Sequence, residues 1–395
     1  MTAGCFIFPF LSGLSTFRPV ARKGCLVSRA EVARENERPA PLTPEEVASR
    51  VVADGVAPAC AAACASRAIE WSREAGGNVS LFFDLASLTK PVTAVAIACA
   101  NLDRTTPLGA LLPEARGTPS EHVSLELLLA HRAGLEGHRP LYEPLVRGES
   151  VAMSEALGIA ASARRASASG DIPSDGFPPL YSDLGYILAG AALARHLGAR
   201  DAGEAMSRLV LEPLGIARCM GTIRDLNARN VVGPFAPTED VVWRGGRVLG
   251  AVHDENAWAL TGLGGSGHAG LFGTVEAVLS FGTCVLDVVD GLDGPLGPVD
   301  LAWLVAPRPG GSLRAGFDGK SPEGSSAGSH MGPHSFGHLG FVGTSLWIDP
   351  EAHIVSSLLT NRLYAGRDHL TIRSARPWAH DALFSRAREM SASPP

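Results

Sequence analysis

Residues 83–91 read Phe83-Asp84-Leu85-Ala86-Ser87-Leu88-Thr89-Lys90-Pro91 and run into an apolar stretch, Val92 to Ala100. With that stretch as a buried helix, Ser87 falls at its N-terminal end, and Lys90, three residues on, shares its face. A helix N-terminus also leaves backbone N–H groups without partners and carries partial positive charge, so the Ser87 N–H is placed to hold a developing oxyanion. Four residues would then supply a nucleophile, a base and half of an oxyanion hole.

Ser and Lys three apart are by themselves a weak signal, since an N-cap serine beside a solvated lysine looks the same. Composition sharpens it. The 34 basic residues are 31 Arg and only three Lys, at 23, 90 and 320. Arginine does not lose its proton in a protein, whereas a desolvated lysine can, so a base has to stay lysine. Lys23 lies in a tail and Lys320 in a Gly/Ser-rich loop; Lys90 alone has a structured, apolar setting.

Working outward, 395 residues suffice for a large core and two or three structural units. A hydrophobic content of 46% with 19% charged residues describes a soluble globular chain. A net charge of −6 without basic blocks argues against nucleic acid or an anionic membrane surface and favours a small molecule or short peptide as partner. The seven cysteines are scattered and odd in number, and form no Cys-x-x-Cys pair, as expected of buried free thiols. No apolar run is long enough to span a bilayer. Residues 1–40 read as a disordered extension without a convincing leader, which slightly favours the cytoplasm and leaves secretion open.

Thr43-Pro44-Glu45-Glu46 opens a helix to about Val52, with Thr43 as cap and Pro44 in the first turn. Ala57–Ala65 and Ser80–Phe83 read as buried strands, the second delivering the chain to Ser87. Helical patterns dominate from Thr105 to Pro234: Val123–Ala130, stopped at Gly134; Glu155–Ala168; and Ile187–Leu197, preceded by Tyr181-Ser182-Asp183. Gly262-Leu263-Gly264-Gly265-Ser266-Gly267 matches G-x-G-x-x-G, with Asp287 twenty residues on. Without a strand before it or a βαβ pattern around it, a structured loop is the better reading. After a Gly/Ser-rich loop, Ser312–Ser335, the segments 336–350 and 352–360 read as adjacent strands turning at Asp349-Pro350-Glu351. His330, His334 and His338 recur every four residues, but Gly332 and Pro333 interrupt any helix, so no metal site is expected. A helix from Pro377 to Arg388 closes the chain. The fold expected is α+β: an antiparallel sheet flanked by helices, built from residues 41–104 and 236–395, with an all-helical domain, 105–235, inserted beside it.

Three segments stand in order: Ser87-x-x-Lys90, Tyr181-x-Asp183 and His338-x-Gly340. With the surrounding text "FDLASLTKPVTAVA", "YSDLGYILAG", "HDENAWAL", "GHAGLF" and "FGHLGFVGTSLWIDP", they resemble the class C-like branch of the serine β-lactamase and penicillin-binding-protein superfamily, over residues 43–385. The resemblance implies a serine hydrolase without metal or organic cofactor, in which Ser87 forms an acyl-enzyme. Lys90 and Tyr181 would move the proton, and the N–H groups of Ser87 and Phe341 would hold the oxyanion. Asp183 replaces the branch's usual Asn and favours a charged Lys90; His338 replaces the usual Lys as a weaker, pH-dependent cation. Neutral esters and amides, β-lactams possible among them, are the expected substrates. The alternatives are a D-amino-acid or cell-wall DD-peptidase, and a penicillin-binding-like sensor that does not turn over. His131, His253 and His268 are read as structural groups of the cleft loops, with Asp254 and Glu255 alongside them.

Overall fold

The computed structural model describes residues 40–392; the extension expected at residues 1–40 lies, apart from Ala40, outside the described residues. From Pro41 onward the chain packs as one unit. Helices α1 (Pro44–Ala53), α2 (Thr89–Cys99), α3 (Asp183–His196), α4 (Val275–Val289) and α5 (Ile372–Ala392) frame it. The strands are β1 (Cys60–Arg67), β2 (Trp71–Gly77), β3 (Phe83–Asp84), β4 (Met220–Gly221), β5 (Asp240–Val241), β6 (Gly246–Arg247), β7 (Phe272–Gly273), β8 (Asp318–Gly319), β9 (Phe336–Leu339), β10 (Ser345–Asp349) and β11 (Ile354–Thr360).

The main sheet is antiparallel throughout, in the order β2-β1-β11-β10-β9-β8, so the N-terminal strands pair with the C-terminal ones. Alternation along its central strands divides two cores. Cys60, Ala62 and Cys64 of β1, with Ile354 and Leu358 of β11, pack toward α1 and α5. Ala61, Ala63, Ala65, Val355 and Leu359 face the other way, into the core that includes α2, α3 and α4. Small side chains dominate β1 because helices cover both of its faces. His380 of α5 is buried in the first layer between Ser345 Oγ and Ser356 Oγ, each 2.8 Å from a ring nitrogen.

Helix α1 starts as its sequence requires: Thr43 accepts from the Glu46 N–H, and the Glu46 carboxylate accepts from the Thr43 N–H, a reciprocal cap. Other boundaries differ from the sequence reading. The helix expected over 155–168 is Met153–Ser162, and the one over 123–130 is capped at Ala130, four residues before Gly134. The closing helix begins at Ile372, so Pro377 sits inside it and leaves a backbone carbonyl one turn earlier without its helical partner. The Gly/Ser-rich segment 312–335 contains the edge strand β8.

The largest correction is in 336–350, expected as one strand. It is two, β9 and β10, folded back through Gly340–Thr344, where Gly340 N–H donates to Thr344 O and Gly343 N–H to Gly340 O. Glycine is required at 340 because a Cβ there would meet Thr344 Oγ1 at 1.9 Å and Leu85 O at 2.7 Å. The turn is thus pressed against the strand that leads to Ser87.

Residues 262–267 follow a short helix, Glu255–Thr261, not a strand. Gly267 packs backbone to backbone on α3, where a Cβ would fall 2.0 Å from Tyr186 O. Close packing accounts for that glycine. His330 and His334 do not converge on His338. They face Asp381 and Glu351, 3.9 and 3.7 Å away, and no cluster suited to a metal ion occurs among the described residues.

Candidate active site

The chain arrives at Ser87 from β3 through a strained corner. Ala86 has φ +46°, a left-handed conformation uncommon for a residue with a Cβ, and Asp84 Oδ1 fixes it by accepting from the Ala86 N–H at 2.7 Å. The second oxygen of buried Asp84 accepts from the His253 N–H, also at 2.7 Å, tying the corner to the loop before the Glu255–Thr261 helix. A short 3₁₀ turn, Ala86–Leu88, then leads into α2.

Lys90, on the first turn of α2, has no solvent exposure. Its Nζ donates to Ser87 Oγ at 2.8 Å, pairs with Asp183 Oδ1 at 2.8 Å and reaches His268 O at 3.4 Å, which occupies all three of its protons. Burial pulls the ammonium down, but Asp183, with Tyr181, more than offsets it, and the Lys90 pKa ends above its usual value. Asp183 responds in the opposite sense: burial raises it, and Lys90 and His268 bring it below the ordinary carboxylate range.

Asp183 owes its position to the cap of α3, where Ser182 Oγ accepts from the Gly185 N–H. Tyr181 precedes the cap. Its ring stacks on His131 with centroids 4.6 Å apart and lies under the Lys90 ammonium, 4.9 Å from Nζ. The phenol neighbours both Lys90 and Ser87. Burial pushes its pKa up while Lys90 pulls the other way, and the net shift is upward, so it is a phenol at neutral pH. His131 Nδ1 accepts from the Ser182 N–H at 2.9 Å, and burial holds the imidazole neutral, down to about 3.

Strand β9 brings His338 to the opposite wall, its ring 6.0 Å from that of Tyr181. Nδ1 faces the Leu339 carbonyl at 2.9 Å and must donate to it, leaving Nε2 as an acceptor. Burial, with Lys90 nearby, pushes the imidazole down to about 3. The pH-dependent cation expected from the sequence is therefore absent: His338 is neutral across the physiological range.

Gly340 and Phe341 follow at the turn. Among the described residues, neither the Ser87 nor the Phe341 backbone N–H donates to a protein acceptor. Two arginines clamp the turn from outside: Arg376 donates to the Gly340 and Thr344 carbonyls, each at 2.8 Å, and Arg362 Nε to Phe341 O at 3.0 Å.

Ser87, Tyr181, Asp183, His338, Gly340 and Phe341 line a cleft of about 670 Å³, with Lys90 buried beside Ser87. The structure brings together every site residue expected from the sequence, and adds several. Asp84 orders the corner. Asp254 accepts from the Ala257 N–H and faces His268 Nε2 at 2.8 Å; despite its burial, His268 holds its carboxyl well below the usual range. Asp318 lines the cleft too, as do Arg362, Arg367, Arg373 and Arg376. With 31 arginines in the chain, no pattern could single out those four.

The antiparallel sheet between helices and the cleft at a strand–corner–helix define the β-lactamase and penicillin-binding-protein class of fold. The β-lactamase family model matches residues 73–376, and the chain belongs to that family. No curated protein matches significantly. Among solved structures it resembles a class C β-lactamase from Rhodobacter sphaeroides (16% identity, TM-score 0.58, covering 86% of this chain and 97% of that one). It also resembles EstCE1, a hydrolase with promiscuous acyltransferase activity (20%, 0.59, 84% and 96%). A third is a D-amino acid amidase from Ochrobactrum anthropi (20%, 0.58, 88% and 97%). Family and neighbours are mostly hydrolases.

Proposed function

We propose that the protein is a serine hydrolase that cleaves small esters or amides through an acyl-enzyme on Ser87. The observation that carries this reading is the contact between a fully buried Lys90 ammonium and Ser87 Oγ, with the Tyr181 phenol beside both.

Because Asp183 keeps Lys90 charged, the lysine acts by stabilising negative charge on Ser87 Oγ, and proton movement falls to Tyr181. As Oγ attacks the acyl carbonyl, the phenol oxygen takes the Ser87 proton while its own proton goes to the leaving atom, so no free phenolate is needed. The Ser87 and Phe341 N–H groups receive the carbonyl oxygen as it becomes an oxyanion. Water repeats the sequence in reverse: its proton passes through Tyr181 to Ser87 Oγ as the acyl bond breaks. Neutral His338 offers no charge for a substrate carboxylate, which supports acyl groups without one.

The Lys90–Asp183 pair also favours a second reading, an acylated sensor that turns over slowly, since it leaves no strong base for deacylation. Intact-mass analysis of wild type and Ser87→Ala after a fluorophosphonate, beside hydrolysis of a short-chain aryl ester and a chromogenic cephalosporin, tests both. A single adduct on wild type alone, with sustained turnover, is expected. A stoichiometric adduct without turnover selects the sensor, and no adduct on either protein removes the hydrolase reading.

A further inference from the structure

Asp318 takes no part in the chemistry above, yet it lies in the same cleft. It sits on the two-residue edge strand β8, paired across from Gly337 and so beside His338, and it lines the wall shared with Ser87 and Tyr181. Its Oδ1 is closed to bulk solvent and accepts a hydrogen bond from no described protein group. The two positive charges that act on it are engaged elsewhere. Lys90 is occupied by Ser87, Asp183 and His268 O. Arg314 donates to Val305 O at 2.5 Å and, at longer range, to the carbonyls of His334 and Ser335. Burial outweighs both charges and pushes the carboxyl up to about 6, so at neutral pH it is mostly an anion without a partner.

A buried acceptor left unpaired is costly, and the few that native proteins keep call for an explanation. Here the carboxylate belongs to a residue that lines a substrate-sized cleft, and its charge repels carboxylates. A group bringing both N–H donors and positive charge answers both features, because a charge-assisted hydrogen bond in a desolvated site is among the stronger polar contacts. We propose that Asp318 binds an ammonium group of the substrate, so that the cleft selects amine-bearing esters or amides over their neutral and anionic counterparts. The inference rests on reading the cleft as the substrate site, but it concerns binding and needs no turnover.

Benzylamine, benzyl alcohol and benzoate serve as probes, titrated calorimetrically at pH 7.5 into wild type, Ser87→Ala and Asp318→Asn. Benzylamine, as its ammonium, should bind wild type and Ser87→Ala alike, at least tenfold tighter than benzyl alcohol or benzoate. It should lose about tenfold on Asp318→Asn, with benzyl alcohol unchanged. Equal benzylamine affinity for wild type and Asp318→Asn, or a preference for benzoate, overturns the proposal. Should Asp318→Asn not fold, a benzylamine soak of wild-type crystals decides the matter: nitrogen within hydrogen-bond reach of Asp318 supports it, and nitrogen placed elsewhere refutes it. Since Ser87→Ala is a binding target here, failure of the hydrolase reading leaves the outcome legible.

Discussion

Lys90 Nζ lies 2.8 Å from Asp183 Oδ1 in a site where the lysine has no exposure and the aspartate side chain only 23%. One residue comes from the first turn of α2 and the other from the first turn of α3. Their pairing fixes the charge state of the site.

Asp183→Asn should move the alkaline limit of activity downward. Lys90 would lose the carboxylate that offsets its burial, and so lose its proton at lower pH. In the folded wild type the Lys90 pKa is raised, so its contribution to stability is complete below the unfolded lysine value and disappears as pH rises through the folded one. For Asp183, whose pKa is lowered, the contribution disappears as pH falls. Melting curves across pH should show both limbs flattened in the variant, at a cost of about 3–5 kcal/mol near neutrality if the ammonium stays buried unpaired. An alkaline limit identical to wild type would contradict the assigned role of Lys90.

Tyr181→Phe should leave the fold intact and lower kcat by roughly 10²–10⁴-fold. The loss should be larger for an alkyl ester, whose leaving group needs a proton, than for a p-nitrophenyl ester, whose leaving group does not. Equal losses on the two esters would rule out Tyr181 as the proton donor.

Gly340→Ala should abolish fluorophosphonate labelling. The added Cβ meets Leu85 O, a backbone atom that cannot swing away, so the turn carrying Phe341 must move away from Ser87. Overpacking of this kind costs about 1–3 kcal/mol, which melting curves would register. Removing Thr344 Oγ1 as well, in Gly340→Ala/Thr344→Val, should not restore labelling.

Asp318→Asn should stabilise the protein at pH 8 and not at pH 3. Folding raises the Asp318 pKa from 3.8 to about 6, so the native state holds the extra proton between those values and stability falls as pH rises through that window. The penalty removed at pH 8 is of order 3 kcal/mol, from about 1.4 kcal/mol per pKa unit. A wild-type melting temperature equal to or above the variant's at pH 8 would count against a desolvated carboxylate.

The sequence by itself determined the candidate site where its geometry is local. Ser87 and Lys90 are legible because one helical turn sets their relation, and the lysine stands out because arginine fills almost every other basic position. Thr43 and Glu46 fixed the start of α1 in the same way, each satisfying the other's backbone. The order of the three motifs pointed to Tyr181, Asp183, His338, Gly340 and Phe341, and to an antiparallel sheet completed by the C-terminal strands. Tertiary structure alone decided the break at Gly340, because continuous strand propensity over 336–350 gives no sign that Leu85 will press against that point. It also decided the protonation of the site. His338 is neutral because burial disfavours its charge, Lys90 stays charged because Asp183 outweighs the same burial, and Asp318 is left unpaired by its neighbours; burial and pairing are properties of the packed molecule that no spacing of residues records.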